Sequence, residues 1–374
     1  MKEVTALEPL LLERIAERGP MPFAAYMQIA LYHPHLGYYA RSEPRTGWSG
    51  DFVTSPELDP AFGELWARAF EQIWAACGSP TRFEVVEVGP GEGGFAEAVL
   101  GVAAGDFGDA LRYRLVERNS HLQERQRARL GRFDRVVWSD SLIDLPHVGA
   151  GVIFANEVLD NLPVHLIETR NGDLREVCVV ADHGSLAFEL LPPSSPELER
   201  FLDRTHTRLP EGHRIEVSLA AESFVARAAA ALSRGALLVV DYGDEARGLV
   251  ERVGGSLACY SPAGADDDPL VLPGSKDITS HVNWTAVRAA GRRAGLETIG
   301  PRLQREVLLS LGLKELDLSL GTRQRQDIAG GRGAAAVESM SRRQALRVLV
   351  DAGGLGGLGV TAGLAGIERP PFLT

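Results

Sequence analysis

Between Phe83 and Asp241 the chain alternates short apolar runs with longer stretches whose apolar residues recur at three-and-four spacing. The runs fall at Phe83 to Val88, around Tyr113 to Val116, around Arg135 to Trp138, at Val152 to Ala155 and at Ala236 to Asp241, and they read as buried strands. Strands that alternate with helices predict a parallel sheet covered on both faces. Upstream, Leu7, Leu10, Leu11 and Ile15 make one helical stripe and Phe23, Tyr26, Met27 and Ala30 a second, with Gly19, Pro20 and Pro22 between them. Phe62, Leu65, Trp66, Ala69, Phe70, Ile73, Trp74 and Cys77 continue the same spacing over a longer core helix.

Three alternating segments, Val164 to Thr169, Leu174 to Val180 and Leu186 to Leu190, are separated by Asn171-Gly172 and His183-Gly184, which predicts a hairpin insertion. A short strand at Ile215 to Ser218 and helices at Ala221 to Leu232 and Asn283 to Ala294 follow the same logic. Gly254 to Ser275, rich in Gly, Pro and Asp, predicts a long loop of the kind that closes over active sites. Residues 304–313 predict a late strand, after which Arg-rich helical sequence leads to a Gly-Leu tail, Gly353 to Gly366, expected to be poorly ordered. No internal repeat is found.

The chain has 374 residues, 45% of them hydrophobic and 24% charged, enough for one large or two smaller globular domains. Its formal net charge of -11 argues against nucleic acid as a partner, because phosphate-backbone binding needs a basic footprint. Cys77, Cys178 and Cys259 are scattered, with neither disulfide-framework nor zinc spacing. No apolar run approaches the length of a membrane span, and the acidic N-terminus suits neither a signal nor a transit peptide, so a cytoplasmic location is expected. His33 and His35 flank a proline without a third ligand at metal spacing, which predicts a structural role and no metal site.

The stretch EVGPGEGG, Glu87 to Gly94, runs from the first strand into a helix. Glycines at Gly89, Gly91 and Gly94 let a backbone lie against a nucleotide-like ligand at a helix N-terminus. The spacing also satisfies a dinucleotide fingerprint, so a dehydrogenase stands as a remote alternative. Glu87 favours S-adenosylmethionine, since a carboxylate there repels a pyrophosphate but pairs with the amino and sulfonium side of the methionine. Glu117 closes the second strand and Asp140 the third, at the rim where ligands of doubly wound sheets bind. An acid at the second strand suits the ribose hydroxyls, and one at the third the adenine amino group.

The fourth strand runs into ANEVLDNLP, Ala155 to Pro163, where Glu157 and Asp160 form a carboxylate pair and His165 follows. Carboxylates suit a guanidinium acceptor, which must be held and have its charge concentrated on the reacting nitrogen. A hydroxyl acceptor would instead call for a base such as His165 or His281. Both readings stay open, and so does a cofactor-binding assembly protein without turnover.

With these motifs placed, the chain resembles the MidA family of class I methyltransferases, which includes a mitochondrial complex I assembly-factor arginine methyltransferase. The resemblance rests on Met21, His33, Pro34, Tyr38 and Tyr39, on GDFVTSPE (Gly50 to Glu57) followed by Phe62-Gly63-Glu64, and on EVGPGEGG. It continues through NE-x-x-D-x-LPV (Asn156 to Val164), EVS (Glu216 to Ser218), DYG (Asp241 to Gly243) and the PG, DIT and V positions between Pro273 and Val282.

The resemblance implies an α/β, Rossmann-like class I methyltransferase fold: a seven-stranded, mostly parallel sheet with N-terminal helices, a β-hairpin insertion and a lid insertion. Residues 1–80 would cover the cofactor site, 81–312 would form the core with the insertion at 164–214 and the lid at 244–282, and 313–374 would be helical with a Gly-rich tail. It implies S-adenosyl-L-methionine as cofactor, held by Glu87, Gly89, Gly91, Glu117 and Asp140, with Asp51, Thr54 and Ser55 on the pocket wall and Ser141 and Asn156 beside the acids. Glu157, Asp160 and His165 are the candidate catalytic residues. The implied acceptor is a protein or peptide arginine, and a homodimer is a further expectation. Ala258 stands where relatives carry Arg, Ala263 or Gly264 where they carry His, and Asn283 where Asp is common, which keeps a small-molecule acceptor as an alternative.

Overall fold

A computed structural model describes residues 5–40, 55–261 and 264–374. These residues fall into two compact units interleaved along the chain, one drawn from 5–40, 157–226 and 241–293, the other from 55–156, 227–240 and 294–374. Asp51 and Thr54 lie outside the described residues.

The second unit is built on a seven-stranded sheet of β1 (Phe83–Val88), β2 (Leu111–Val116), β3 (Val136–Ser139), β4 (Gly151–Asn156), β5 (Gly235–Asp241), β6 (Glu297–Leu303) and β7 (Gly359–Ala365). Their order across the sheet is β3-β2-β1-β4-β5-β7-β6. Strands β3, β2, β1, β4 and β5 pair in parallel, with Glu87 opposite Leu115 and Phe154, and Val116 opposite Ser139. The apolar runs of β4 and β5 are continuous because both their faces are covered, whereas β2 alternates and β3 is partly exposed. On one face the Ala61–Ala76 helix packs Trp66 and Phe70 onto Phe154, which also stacks on Phe95 at 4.8 Å between ring centroids.

Two expectations for the C-terminal region do not hold. Residues 304–313 are not a strand: Gln304–Ser310 is a helix, and β6 lies just before it. The Gly-Leu tail is not poorly ordered over its length, because Gly359–Ala365 is β7, buried throughout and antiparallel to β6. Its small residues serve close packing, since a Cβ on Gly363 would come 2.7 Å from Leu296 Cδ1.

The first unit carries a five-stranded sheet. Asp173–Asp182 pairs with His165–Arg170, Ser185–Leu191 and Met21–Pro22, and His165–Arg170 also pairs with Arg214–Val217. Both hairpin turns, Asn171-Gly172 and His183-Gly184, place two consecutive residues at positive φ, as tight turns between antiparallel strands require. The Leu7–Arg18 and Phe23–Tyr32 helices share a core with this sheet and with Cys259 and Ile278.

The stretch expected to be one long loop contains strand residues. Ala258–Ser261 pairs with Gly264–Asp266 and Asp277–Thr279, and Cys259 at its centre is buried. Strands of three or four residues are too short to leave a readable alternation. Among the described residues no helix is long and apolar enough to cross a membrane. His33 is engaged locally, its Nδ1 accepting the backbone N–H of His35 and Leu36 at 3.3 and 3.1 Å.

Candidate active site

Glu87 sits on β1 with its side chain buried, accepting the hydroxyl of Tyr113 on β2 at 2.8 Å. Burial pushes its carboxyl up to about 8, against the stabilising hydrogen bond from Tyr113. A cation beside it would favour the ionised form. The loop that follows has Gly89, Gly91 and Gly93 at φ of +67°, +52° and +79°. Only glycine enters this region without strain, so the loop's path depends on those residues.

Helix Ser120–Leu130 fastens the loop. Gln126, fully buried, donates to the Gly91 carbonyl at 2.7 Å and accepts from Trp138 Nε1 at 3.0 Å, and Arg125 pairs with Glu92 at 3.0 Å. Sequence reasoning missed both. The signal was a polar residue on an apolar stripe, Leu122, Gln126 and Leu130, at four-residue spacing.

The parallel register sets Glu87, Glu117 and Asp140 at the same ends of their strands. Glu117 accepts the N–H of Asn119 at 2.7 Å, and burial pushes it up to about 7. Gln123 Nε2 donates to the Glu117 carbonyl at 2.7 Å and to Asp140 Oδ1 at 2.9 Å, so one side chain spans both strand ends. Ser141 forms a local turn, donating to Asp144 at 2.7 Å and accepting from the Ile143 backbone. Ser55 is fully buried and accepts from Gln304 Nε2 at 3.1 Å. Asn156 is the last residue of β4, paired with Val240.

In the first unit, Glu157 has a φ of +51°. The turn after it is gathered on Asp241, whose Oδ2 accepts the N–H of Val158, Leu159 and Asp160 at 3.2, 2.8 and 3.2 Å, while Oδ1 accepts Tyr242 N at 2.8 Å. Burial pushes Asp241 up to about 7 in spite of these donors. Asp160 is buried, and its Oδ1 has no hydrogen-bond partner among the described residues. Burial, then the charges of Asp241, Asp277 and Glu157, hold its carboxyl well above the usual range.

Asp277 accepts Asn161 Nδ2 at 2.9 Å and the Tyr39 hydroxyl at 3.0 Å, and Tyr39 stacks on Tyr32 at 5.4 Å. Burial and then Glu157 and Asp160 raise the Tyr242 phenol. The result is a nest of buried acids walled by tyrosines. His165 is held elsewhere: its Nδ1 lies 2.6 Å from Glu176 Oε1, and Glu176 also accepts Ser194 N at 2.6 Å. The Nδ1 side of the imidazole is thus tied to the neighbouring strand. Among the described residues no group of three or more His, Cys, Asp or Glu side chains is arranged to hold a metal ion.

The strand order, with an acid ahead of a left-handed glycine loop and acids at the next two strand ends, is that of an α/β methyltransferase. A family model described as "Putative S-adenosyl-L-methionine-dependent methyltransferase" matches residues 65–302. The mitochondrial protein arginine methyltransferase NDUFAF7 of Rattus norvegicus is 31% identical over 349 residues, 83% of this chain and 75% of its own. The Homo sapiens protein of that name is 31% identical over 83% of this chain and 74% of its own.

A crystal structure of a Burkholderia thailandensis protein bound to S-adenosyl-homocysteine has a TM-score of 0.86 and 33% identity over 98% of this chain and 94% of that one. A native crystal structure from the same superfamily and organism has a TM-score of 0.82 and 32% identity, with the same coverage. The chain belongs to this family of S-adenosylmethionine-dependent methyltransferases, and S-adenosylmethionine is its cofactor. The residues present fit that cofactor: carboxyls at three strand ends for its charged and hydroxyl groups, and a loop whose glycines at 89, 91 and 93 bring the backbone close without side chains there.

Proposed function

We propose that the enzyme transfers a methyl group to a guanidino nitrogen of an arginine side chain in a protein acceptor. The observation that carries this reading is Asp160, whose unpartnered buried oxygen sits among Glu157, Asp241 and Asp277. Asp160 and Asp241, which burial drives toward the neutral form, are matched by a permanently charged planar cation. A guanidinium offers five N–H donors and satisfies two carboxylates at once. The relatives named protein arginine methyltransferase support the same acceptor class.

In this reading Glu87, Gly89, Gly91, Glu117 and Asp140, with Asp51, Thr54, Ser55, Ser141 and Asn156, contact the cofactor. Glu157 and Asp160 hold the guanidinium. The φ of +51° at Glu157 supports a functional role, because strained non-glycine backbone gathers at active sites. The cofactor supplies a methyl carbon on a positively charged sulfur. Glu157 and Asp160 would orient one guanidino nitrogen for transfer of that methyl, and Glu157 would accept the proton the nitrogen loses. Fixing the reactants in line is worth about 7–11 kcal/mol. Segment 244–282 acts in this reading as a lid over the bound acceptor.

The test is product analysis. Cell-extract proteins from a strain lacking the enzyme are incubated with methyl-labelled S-adenosylmethionine and the purified protein, then hydrolysed to amino acids. Label is expected in methylarginine. Label confined to lysine, to other amino acids or to small molecules would remove the arginine assignment.

A further inference from the structure

The Leu7–Arg18 helix, the Ser185–Leu191 strand and segment 267–272 line an open cleft of about 520 Å³ within the first unit. Its lining is mostly apolar, including Leu186, Phe188 and Val271, with three acids, Glu8, Asp267 and Asp268. Leu186 and Phe188 alternate onto one face of their strand, and Phe188 meets Phe23 at 5.9 Å yet stays 40% exposed.

Glu8 is only 9% exposed, and among the described residues no hydrogen bond or ion pair reaches its carboxylate. Lys276, which donates to the Asp268 carbonyl at 3.1 Å, is committed to Asp266 at 2.7 Å. No cation of the described residues pairs with this carboxylate, which lines the cleft. Its presence makes sense where a cation arrives from outside.

The shape of the site narrows what brings that cation. Ser185–Leu191 pairs with Asp173–Asp182 on one side, and among the described residues no strand pairs its other side. Such an edge offers backbone donors and acceptors at the repeat of an extended chain.

We infer that this cleft docks an extended polypeptide segment carrying a lysine or arginine between apolar residues. The edge strand pairs with its backbone, Glu8 receives the cation with Asp267 and Asp268 adding attraction, and Phe188 and Val271 cover the flanking apolar side chains. The inference rests on the protein-acceptor reading for the source of the segment. Its test reads binding alone, so each can fail while the other stands.

The probe is a fluorescein-labelled Val-Arg-Val-Arg-Val peptide, followed by anisotropy with the full-length enzyme. Saturable binding is expected, weakened by salt and reduced about tenfold in both Glu8→Gln and Phe188→Ser. The melting temperature of unliganded Glu8→Gln should equal or exceed that of the parent, which separates lost binding from lost folding. Three results would each overturn the inference: no saturable binding, equal affinity for Val-Glu-Val-Glu-Val, or unchanged affinity in Glu8→Gln. Displacement by spermidine as effective as by unlabelled Val-Arg-Val-Arg-Val would overturn the polypeptide in favour of a small cation.

Discussion

Asp241 Oδ2 accepts the backbone N–H of Leu159 at 2.8 Å, and through it and two flanking donors fixes the turn that bears Glu157 and Asp160. The residue acts through that backbone. Asp241→Asn keeps the volume but replaces one accepting oxygen with a donor, leaving buried N–H groups unpaired. A stability loss of about 1–3 kcal/mol is expected in urea denaturation. In steady-state assays kcat should fall while the affinity for S-adenosylmethionine is retained. An unchanged kcat would mean that the turn keeps its shape without the clamp.

Burial raises Glu87 to about 8 and Glu117 and Asp241 to about 7, each above its unfolded value near 4. A carboxyl raised on folding contributes stability that is fully present below the unfolded value and is lost as pH rises through the folded one. The unliganded protein should therefore lose melting temperature between about pH 5 and about pH 8, and Glu87→Gln should flatten the upper part of that slope. Glu245, held below its ordinary value by Arg288 and Thr285 in spite of burial, acts in the opposite direction at more acid pH. A cationic cofactor reverses the trend for Glu87. Affinity for S-adenosylmethionine should rise by up to about tenfold per pH unit below about pH 8, measurable by calorimetry.

Gln126 holds the Gly91 carbonyl and the Trp138 indole at once. Gln126→Leu keeps the bulk and strands both partners. Calorimetry should show S-adenosylmethionine binding weakened about tenfold, or about 1.4 kcal/mol. Binding equal to the parent would show that the loop's three positive-φ glycines hold its path unaided.

The parallel strands were legible because burial on both faces leaves unbroken apolar runs such as Val152 to Ala155 and Ala236 to Val240. Both hairpin turns were legible through Asn171-Gly172 and His183-Gly184, where turn chemistry is local. β6 and β7 were not. GVTAGLA lacks the bulky residues that mark a strand, and Gly300-Pro301 inside β6 reads as a breaker, whereas the apolar run after it is a helix. What makes β7 a strand is its place between β5 and β6, a long-range fact. Deleting residues 359–374 should therefore abolish cooperative melting, and a truncated protein with the parent's transition would contradict that placement.

The candidate site divides the same way. Glu87, Glu117, Asp140, Glu157 and Asp160 were each visible at the end of an apolar run. The contacts that organise them were not, because Gln126, Asp241 and Asp277 reach partners tens of residues away. His165 looked available in the sequence, but its Glu176 partner sits on the strand beyond a turn.

The most direct test of the account is methyl transfer by Glu157→Gln, measured with labelled S-adenosylmethionine and the acceptor proteins the parent enzyme modifies, alongside calorimetry of cofactor binding. The account predicts turnover reduced by about 10²-fold or more with cofactor affinity within a few fold of the parent. Turnover close to the parent's, with the cofactor bound equally well, would contradict it.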